Sequence, residues 1–425
     1  MKLKKIFFVA VAFAISTVET FAQELEVNLQ IRPRFEYRNG YKELMKDDSY
    51  PTSFVSQRSR MNFFYKQEKF KANVSFQNIR VWGDVATTSP SDKNGVALFE
   101  SWISYDFNSN WTAKFGRQVL SYDNQRIMGG IDWLQQGQCH DAFLITNKEN
   151  NYQLDFGAAF NNNNEALYES AYITNYKNMQ FIWFNQKFSK LSLSFLALNN
   201  GYQYENLTEN EFQVAYLQTF GTYGKLNTSK FYGDFGLYAQ RGEAAITNDK
   251  VDVGAYYAGF NLGYKFTTPF KAELGFEYLS GKDQNDTDTK IKSFTPLFGT
   301  NHAFNGLMDY FYVGNHKNSV GLQDVYTKFI YDKNKWQVAL APHVFYSAAS
   351  VYNMATLEVQ DSYLGTEIDL TATYKMDKNF VITGGVSKMF ASDTMEILKG
   401  GNNSNGNNWA WVMVSFNPQL FTHKK

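Results

Sequence analysis

The feature that most constrains this chain is the way its connections are sorted by length. Segments in which apolar and polar side chains alternate with a period of two recur along the whole sequence, which is the pattern of β-strands with one apolar face. Every second connection is a tight turn, as at residues 66–69, 107–110 and 376–379, and the others are long and polar. An up-and-down barrel that crosses a membrane has short turns on one side and long loops on the other.

This alternation predicts an all-β fold, a single antiparallel transmembrane β-barrel of about 18 strands with short periplasmic turns and long extracellular loops. A closed barrel pairs every backbone group without an exposed edge, as a hydrocarbon environment requires. Aromatic residues make up 17% of the chain, and rings flank the short turns as they do at a membrane interface. The predicted strands are 25–38, 53–66, 68–82, 98–107, 110–119, 139–147, 151–160, 178–188, 190–200, 211–221, 229–240, 251–266, 269–280, 320–331, 335–347, 361–375, 379–390 and 408–417.

The first residues predict export from the cytoplasm. Lys2, Lys4 and Lys5 precede a short apolar run at 6–18, and small residues follow up to Ala22. This pattern is typical of a cleaved signal peptide, so we predict a signal peptide over residues 1–22 and a barrel over residues 23–425 in the outer membrane. The remaining chain has a formal net charge of −2, which gives no electrostatic footprint for nucleic acid.

The opening strand, "LEVNLQIRPRFEYR" at 25–38, shows which face is which. Its odd positions are apolar or aromatic apart from Pro33, and its even positions include Arg32 and Arg34. Placing such arginines against lipid costs about 2–4 kcal/mol each near the midplane, so the even positions must face the aqueous lumen. Pro33 lacks an amide hydrogen for the ladder, which predicts a bulge or a local break there.

Arginine is concentrated in the first third of the chain, since eight of the nine arginines lie between positions 32 and 126. Arg80 faces inward only if the strand has a bulge near Asn78, and Arg117 only if Gly116 marks one. Such a cluster either forms a positive stripe that favours anions or is braced by lumenal acids, and both interpretations remain open. The candidate pore-lining residues are Arg32, Arg34, Glu36, Arg38, Arg58, Arg60, Arg80, Glu100, Arg117, Arg126, Glu367 and Asp369.

Motifs for catalysis are absent from the sequence. None of the five histidines is followed two residues later by serine, and no nucleophile elbow, H-E-x-x-H or EF-hand loop is present. We therefore predict a protein that is not an enzyme and has neither a cofactor nor a bound metal. The pattern in "SNGNNWAWVMVSF" at 404–416 is similar to the signal read by the barrel-insertion machinery, which we expect to be a partner along with outer-membrane lipid.

Six stretches of the chain carry a family resemblance when they are taken together, namely 31–38, 80–84, 115–143, 294–311, 321–324 and 364–370. They resemble the alginate-export family of outer-membrane porins. The resemblance implies an eighteen-stranded barrel whose arginine-rich lumen passes an anionic uronate polymer outward, with a periplasmic scaffold of an export complex as a further partner. The arginines at 32, 34, 80, 117 and 126 match the family pattern, as do Asp123, Asp132 and Asp141, and Gln138 and His140 depart from it. The resemblance therefore adds Asp123 and Asp132 to the candidate pore-lining residues.

Three functions are compatible with these observations. The leading one is a passive outer-membrane channel selective for an anionic saccharide or polysaccharide, an alginate-like uronate export pore with an arginine-lined lumen. The alternative is an uptake porin for small anions or oligosaccharides, in which the long loop 281–319 forms a constriction. The third is a barrel that transports nothing and serves as an enzyme or adhesion platform.

Overall fold

A computed structural model describes residues 23–424 as one closed antiparallel barrel. The predicted signal peptide, residues 1–22, lies outside the described residues. The strands are β1 (Gln23–Asn39), β2 (Thr52–Gln67), β3 (Phe70–Val81), β4 (Ala97–Asp106), β5 (Trp111–Gln118), β6 (His140–Lys148), β7 (Tyr152–Phe160), β8 (Asn178–Lys187), β9 (Leu191–Asn206), β10 (Glu211–Asn227), β11 (Phe231–Ala245), β12 (Lys250–Lys265), β13 (Phe270–Leu279), β14 (Leu322–Lys333), β15 (Trp336–Tyr346), β16 (Tyr352–Asn353), β17 (Glu358–Val359), β18 (Tyr363–Lys375), β19 (Phe380–Ala391), β20 (Asn408–Phe416) and β21 (Gln419–Lys424).

Each wall strand pairs with its neighbours in the chain, and the barrel closes on its first strand. β1 pairs with β2 on one side and with both β20 and β21 on the other, as in the pairs Arg34 with Met413 and Leu25 with His423. β20 and β21 therefore occupy one position in the wall, separated near Pro418, and the barrel has the predicted eighteen positions. β16 and β17 form a separate small hairpin in a long loop.

The short and long connections lie at opposite ends of the barrel, as predicted. One correction concerns the predicted loop 241–250, most of which is strand, because β11 continues to Ala245 and β12 begins at Lys250. β9 likewise continues to Asn206, well beyond the predicted end at residue 200. β9 to β12 have 15 to 17 residues each and extend the wall at the long-loop end.

Pro33 produces the predicted break on one side of β1 only. The pairing with β2 is continuous through Pro33 and Gln57. The pairing with β20 contains Ile31 with Phe416 and Arg34 with Met413, and it lacks the two intervening pairs. The proline therefore faces the strand with which the ladder is interrupted, as its missing amide hydrogen requires.

The helices of the described chain lie within two of the long connections, residues 280–321 and 392–407. They are a 3₁₀ turn at Asn301–Ala303, α1 (Val313–His316) and α2 (Asp393–Lys399). Ser392 caps α2 by accepting a hydrogen bond from the backbone N–H of Met395. None of the described helices is long and apolar enough to cross a membrane.

Two long connections fold into the lumen and pack against each other. We call residues 119–139 loop A and residues 280–321 loop B. The backbone N–H of Gly129 in loop A donates to the oxygen of Phe298 in loop B at 2.9 Å, and the N–H of Phe298 donates to the oxygen of Ile127 at 3.0 Å. Met128 of loop A and Phe298 are buried there together with wall residues of the barrel interior. Loop B contains the predicted loop 281–319 and lies in the lumen, and its action as a constriction stays a prediction.

Candidate functional site: the lumen and its two inner loops

The arginines of the first two strands meet loop A at a single carboxylate. Arg32 and Arg58 lie directly opposite each other in the β1–β2 register, so both guanidinium groups enter the lumen side by side. Nη1 of Arg32 lies 3.1 Å from one oxygen of Asp132, and Nη2 of Arg58 lies 2.7 Å from the other. The two arginine side chains are only 4% and 1% exposed, whereas the side chain of Asp132 is 74% exposed. The two buried cations therefore present an accessible carboxylate to the lumen.

Backbone oxygens of loop A complete the bonding of these arginines. Nη2 of Arg32 donates to the oxygen of Asp132 at 2.8 Å, and Nη1 of Arg34 donates to the oxygen of Trp133 at 2.7 Å. The guanidinium of Arg34 also lies over the Trp133 ring, 3.9 Å from its centroid. The side chain of Gln135 accepts from Nε of Arg32. Arg32, Arg34 and Arg58 therefore bind loop A, and none of them is a bare group on the wall.

Glu36 and Arg38 continue this cluster along β1 toward the long-loop end of the barrel. Glu36 is fully buried and accepts hydrogen bonds from Nε of Arg34 at 2.9 Å and from Nη2 of Arg38 at 2.9 Å. The indole N–H of Trp409 in β20 is its third donor, at 3.2 Å. Arg38 is half-buried, with its guanidinium over the rings of Tyr41 and Phe54. Both residues face the lumen, as the strand alternation predicts.

Arg60 and Glu100 also face inward. Nη2 of Arg60 donates to the side-chain oxygen of Gln77 at 2.7 Å, and its guanidinium lies 3.4 Å from the centre of the Phe99 ring. Glu100 accepts from the indole N–H of Trp102 at 3.1 Å. Glu100 thus bonds to a side chain of its own strand and forms no ion pair with the arginine cluster.

Arg126 and Asp123 attach loop A to the remainder of the wall. Nη2 of Arg126 lies 2.9 Å from Oε2 of Glu277 on β13 and 2.8 Å from Oδ1 of Asn305 in loop B. Asp123 accepts from Oγ of Ser194 at 2.5 Å and from the indole N–H of Trp183 at 3.2 Å. Burial raises the pKa of the Asp123 carboxyl, and the two hydrogen bonds oppose that rise.

Glu367 and Asp369 hold loop B. Both lie on β18 and are buried, and the backbone N–H groups of Met308 and Leu307 donate to them at 2.8 and 3.2 Å. Gly306 makes this approach geometrically feasible, because it has a φ of +79° and an added Cβ would lie 2.7 Å from the carboxyl carbon of Glu367. Glu367 and Asp369 thus bind loop B, and the acids that pair with the arginine cluster are Glu36 and Asp132.

Two of the predicted lumenal arginines lie on the outer face of the barrel. The pairing of β2 with β3 is unbroken from Asn78, opposite Ser59, to Arg80, opposite Gln57, so Asn78 carries no bulge. Arg80 therefore points outward, where it pairs with Asp84 and Asp92 of the following loop. The bulge lies in β4 instead, where the register with β3 shifts between Ser75 and Phe76.

Arg117 is the second correction. Its pairing with Ser101 and Asp141 is continuous, so Gly116 introduces no extra residue despite its φ of +118°. Nη1 of Arg117 lies 2.9 Å from Oδ2 of Asp141, and both side chains are exposed on the face that carries the exposed ring of Phe115. A bulge at Gly116 would have shifted the strand by one residue and reversed the face of the side chains that follow. Because that bulge is absent, Arg117 lies on the outer face.

Sequence reasoning missed the residues that join the two inner loops. Trp133 stacks on His302 of loop B with ring centroids 4.1 Å apart and an interplanar angle of 13°. Gln135, Glu277 and Asn305 each bind a lumenal arginine. The only signal for Trp133 and Gln135 was their place within the family-like stretch 115–143, because a loop has no periodicity from which its direction could be read.

Cys139 lies at the end of loop A, beside the wall. Burial is the main cause that raises the pKa of its thiol to about 12, and the Glu100 carboxylate adds to the rise. The thiol therefore stays protonated and unreactive near neutral pH. No group of histidine, cysteine and carboxylate side chains suited to a metal ion occurs among residues 23–424.

Comparison with known proteins agrees with the barrel. Chains of known structure with the same fold include OccAB1 of Acinetobacter baumannii (13% identity over 93% of this chain and 97% of that one, TM-score 0.63). OccK11 (OpdR) of Pseudomonas aeruginosa matches at 11% identity over 94% and 96%, with a TM-score of 0.59. OccK2 (OpdF) of the same organism, solved in complex with glucuronate, matches at 12% identity over 93% and 98%, with a TM-score of 0.60.

Among curated protein sequences there is no match. The sequence pattern of the alginate-export family matches residues 23–407, which is nearly the whole described chain. Together with the porin-like barrel, this match identifies a channel of the outer membrane and points away from an enzyme. The chain therefore belongs to the alginate-export family.

Proposed function

We propose that this outer-membrane channel is passive and selective for saccharides that carry a carboxylate. The observation that carries the proposal is the convergence of Arg32 and Arg58 on the accessible carboxylate of Asp132. Planar guanidinium groups match carboxylates in shape and charge, and two of them buried side by side favour an anion. The carboxylate of a passing uronate unit can exchange with that of Asp132, so the solute has a charged partner at this point of the wall.

The relatives with the same fold agree with this class of solute. The OccK2 structure contains glucuronate, a sugar acid of the kind proposed here. The structure of OpdK from the same organism contains vanillate, another carboxylate. These ligands belong to those proteins, and they support the proposal only through the shared architecture.

A second candidate differs in the length of the solute. Loops A and B cross the lumen and are bonded to each other, which favours small anions or oligosaccharides over a long polymer unless the loops move. Competition between uronate monomers and oligomers of increasing length for the same current separates the two candidates. Block that strengthens steadily with length supports a polymer channel, and block that is strongest for monomers or dimers supports a small-solute porin.

Planar-bilayer recordings test anion selectivity. We expect the wild-type channel to prefer chloride over potassium and Arg58→Gln to lower that preference. Arg117→Gln is the matched control, because it removes the same charge from the outer face, and we expect it to leave the preference unchanged. A cation-selective wild-type channel, or equal effects of the two substitutions, would contradict the proposal. The two further partners, a periplasmic scaffold of an export complex and the barrel-insertion machinery, stay predictions.

A further inference from the structure

A chamber lies in the lumen beneath loop B, on a different part of the wall from the arginine cluster. Its volume is about 430 Å³, within the range of pockets that hold small ligands. β11 to β15 and β18 form its walls, and Phe304, Asn305 and Gly306 of loop B form its ceiling. Lys328 on β14 belongs to its lining, and β15, β18, β19 and β20 separate β14 from β1. The chamber is therefore a second place at which a solute can be held.

Two carboxylates in the lining have acceptor capacity to spare. Asn261 donates to Oδ2 of Asp234 at 2.6 Å, and the hydroxyl of Tyr232 donates to Oε1 of Glu273 at 2.9 Å. Each interaction uses one oxygen of a group that offers about four acceptor positions. Both carboxylates therefore remain able to accept hydrogen bonds from hydroxyl groups of a ligand.

A donor and aromatic surface accompany these acceptors. Lys328 faces Glu273 across the β13–β14 register, yet its ammonium forms no ion pair and no hydrogen bond with any residue in the described range 23–424. The rings of Tyr257, Phe304 and Tyr326 add apolar surface to the lining. The chamber thus combines free acceptors, a free donor and aromatic rings within one small volume.

This combination fits a sugar ring better than it fits a simple ion. A small anion would be repelled by Asp234 and Glu273, and a small cation would make no use of the Lys328 ammonium as a donor or of the apolar faces of the rings. A sugar unit can donate hydroxyl hydrogens to the carboxylates, accept from the ammonium and place its C–H face on an aromatic ring, and hydrogen bonds to charged groups are the stronger kind.

We propose that this chamber is a saccharide subsite that binds the hydroxyl groups and the ring of one sugar unit, independently of any acid group. The inference rests on the proposed function only in taking a saccharide as the solute. The arginine cluster then recognises the carboxylate of the solute, and the chamber recognises its hydroxyl groups. A neutral sugar therefore binds the chamber without needing a carboxylate, whereas a carboxylate without hydroxyl groups does not bind.

Saturation-transfer NMR with the detergent-solubilised barrel tests the subsite, because it detects binding without requiring permeation. The probes are glucose, which has no charge, and acetate, which has no hydroxyl group. We expect glucose to bind, and Asp234→Asn and Glu273→Gln each to weaken its binding about tenfold by removing a charge-assisted hydrogen bond. Asp332→Asn is the matched control, because Asp332 lies on β14 outside the chamber and pairs with Lys271.

Heat-modifiable gel mobility confirms that each variant barrel is folded before binding is compared. Absence of glucose binding to the folded wild-type barrel would overturn the subsite, and so would equal binding by the two chamber variants and Asp332→Asn. Failure of the proposed function is recognised separately. In that case Arg58→Gln leaves anion selectivity unchanged while glucose still binds, since Arg58 is on β2 and does not line the chamber.

Discussion

Changing Asp132 to asparagine tests whether the arginine cluster holds loop A in the lumen. The substitution keeps the shape of the side chain and removes the negative charge shared by Arg32 and Arg58. Backbone oxygens of Asp132 and Trp133 continue to accept from Arg32 and Arg34, so the loop is weakened and not released outright.

The magnitude follows from the exposure of the carboxylate. Because Asp132 is 74% exposed, water screens both ion pairs, and each contributes about 0.5–1 kcal/mol despite the burial of the arginines. The amide oxygen retains a weaker hydrogen bond to one of the two guanidinium groups. The expected loss is thus about 1–2 kcal/mol, and 1.4 kcal/mol corresponds to a factor of ten in the equilibrium between docked and released loop.

Single-channel recording measures this equilibrium as the fraction of time spent at higher conductance. We expect Asp132→Asn to raise that fraction roughly tenfold. Asp141→Asn serves as the control, since it removes an acid paired with an arginine on the outer face, outside the lumen. If Asp132→Asn and Asp141→Asn behave alike, the carboxylate does not hold loop A and the reasoning is refuted.

Three further predictions concern loops A and B. Gly306→Ala destabilises the docking of loop B by about 1–3 kcal/mol, because the new Cβ meets the Glu367 carboxyl group at a positive φ, and faster proteolytic cleavage within loop B reports it. Trp133→Ala removes the stack on His302 that joins the two loops, and it raises the high-conductance fraction of single-channel current. Cys139, whose pKa is raised to about 12, reacts with iodoacetamide at pH 7.5 at least about a hundredfold more slowly than free cysteine.

Matched controls make these three outcomes decisive. Gly314→Ala changes a loop B glycine whose added Cβ has no contact closer than 3.7 Å, and equal cleavage rates for Gly314→Ala and Gly306→Ala would argue against the steric account. Trp111→Ala removes an exposed ring beside a short turn, and it should leave the current unchanged. Rapid alkylation of Cys139 in the folded barrel would show that its thiol is not shielded by burial.

The wall of the barrel could be predicted from sequence because the face on which a side chain lies depends on its position within its own strand. Alternation with a period of two assigned Arg32 to the lumen and Phe35 to the outside, and the structure has Arg32 buried and Phe35 exposed. The same rule places Arg80 and Arg117 on the outer face, where they lie, and our prediction for them was wrong because we postulated bulges at Asn78 and Gly116. A bulge depends on how two strands register, and that is a property of the pair.

The partners of the lumenal charges could not be predicted in the same way. Arg32 binds Asp132, 100 residues later in the chain, and Arg126 binds Glu277, 151 residues later. Such contacts depend on which loop turns inward. A polar loop has the same kind of sequence whether it faces outside solvent or a water-filled lumen, so its direction could not be predicted. Length alone suggested that residues 281–319 would form a constriction, and nothing suggested that residues 119–139 would join them.

The sequence by itself determined the fold class, the number of wall strands, the end at which the long loops lie and the inward direction of Arg32, Arg34 and Arg58. Lipid on one face and water on the other impose that alternation on each strand separately, so it can be read without knowing the fold. Only the tertiary structure decided that these arginines hold Asp132, because closure of the barrel brings distant segments together. The inward fold of loop B also created the chamber, because it covers six successive strands of the wall.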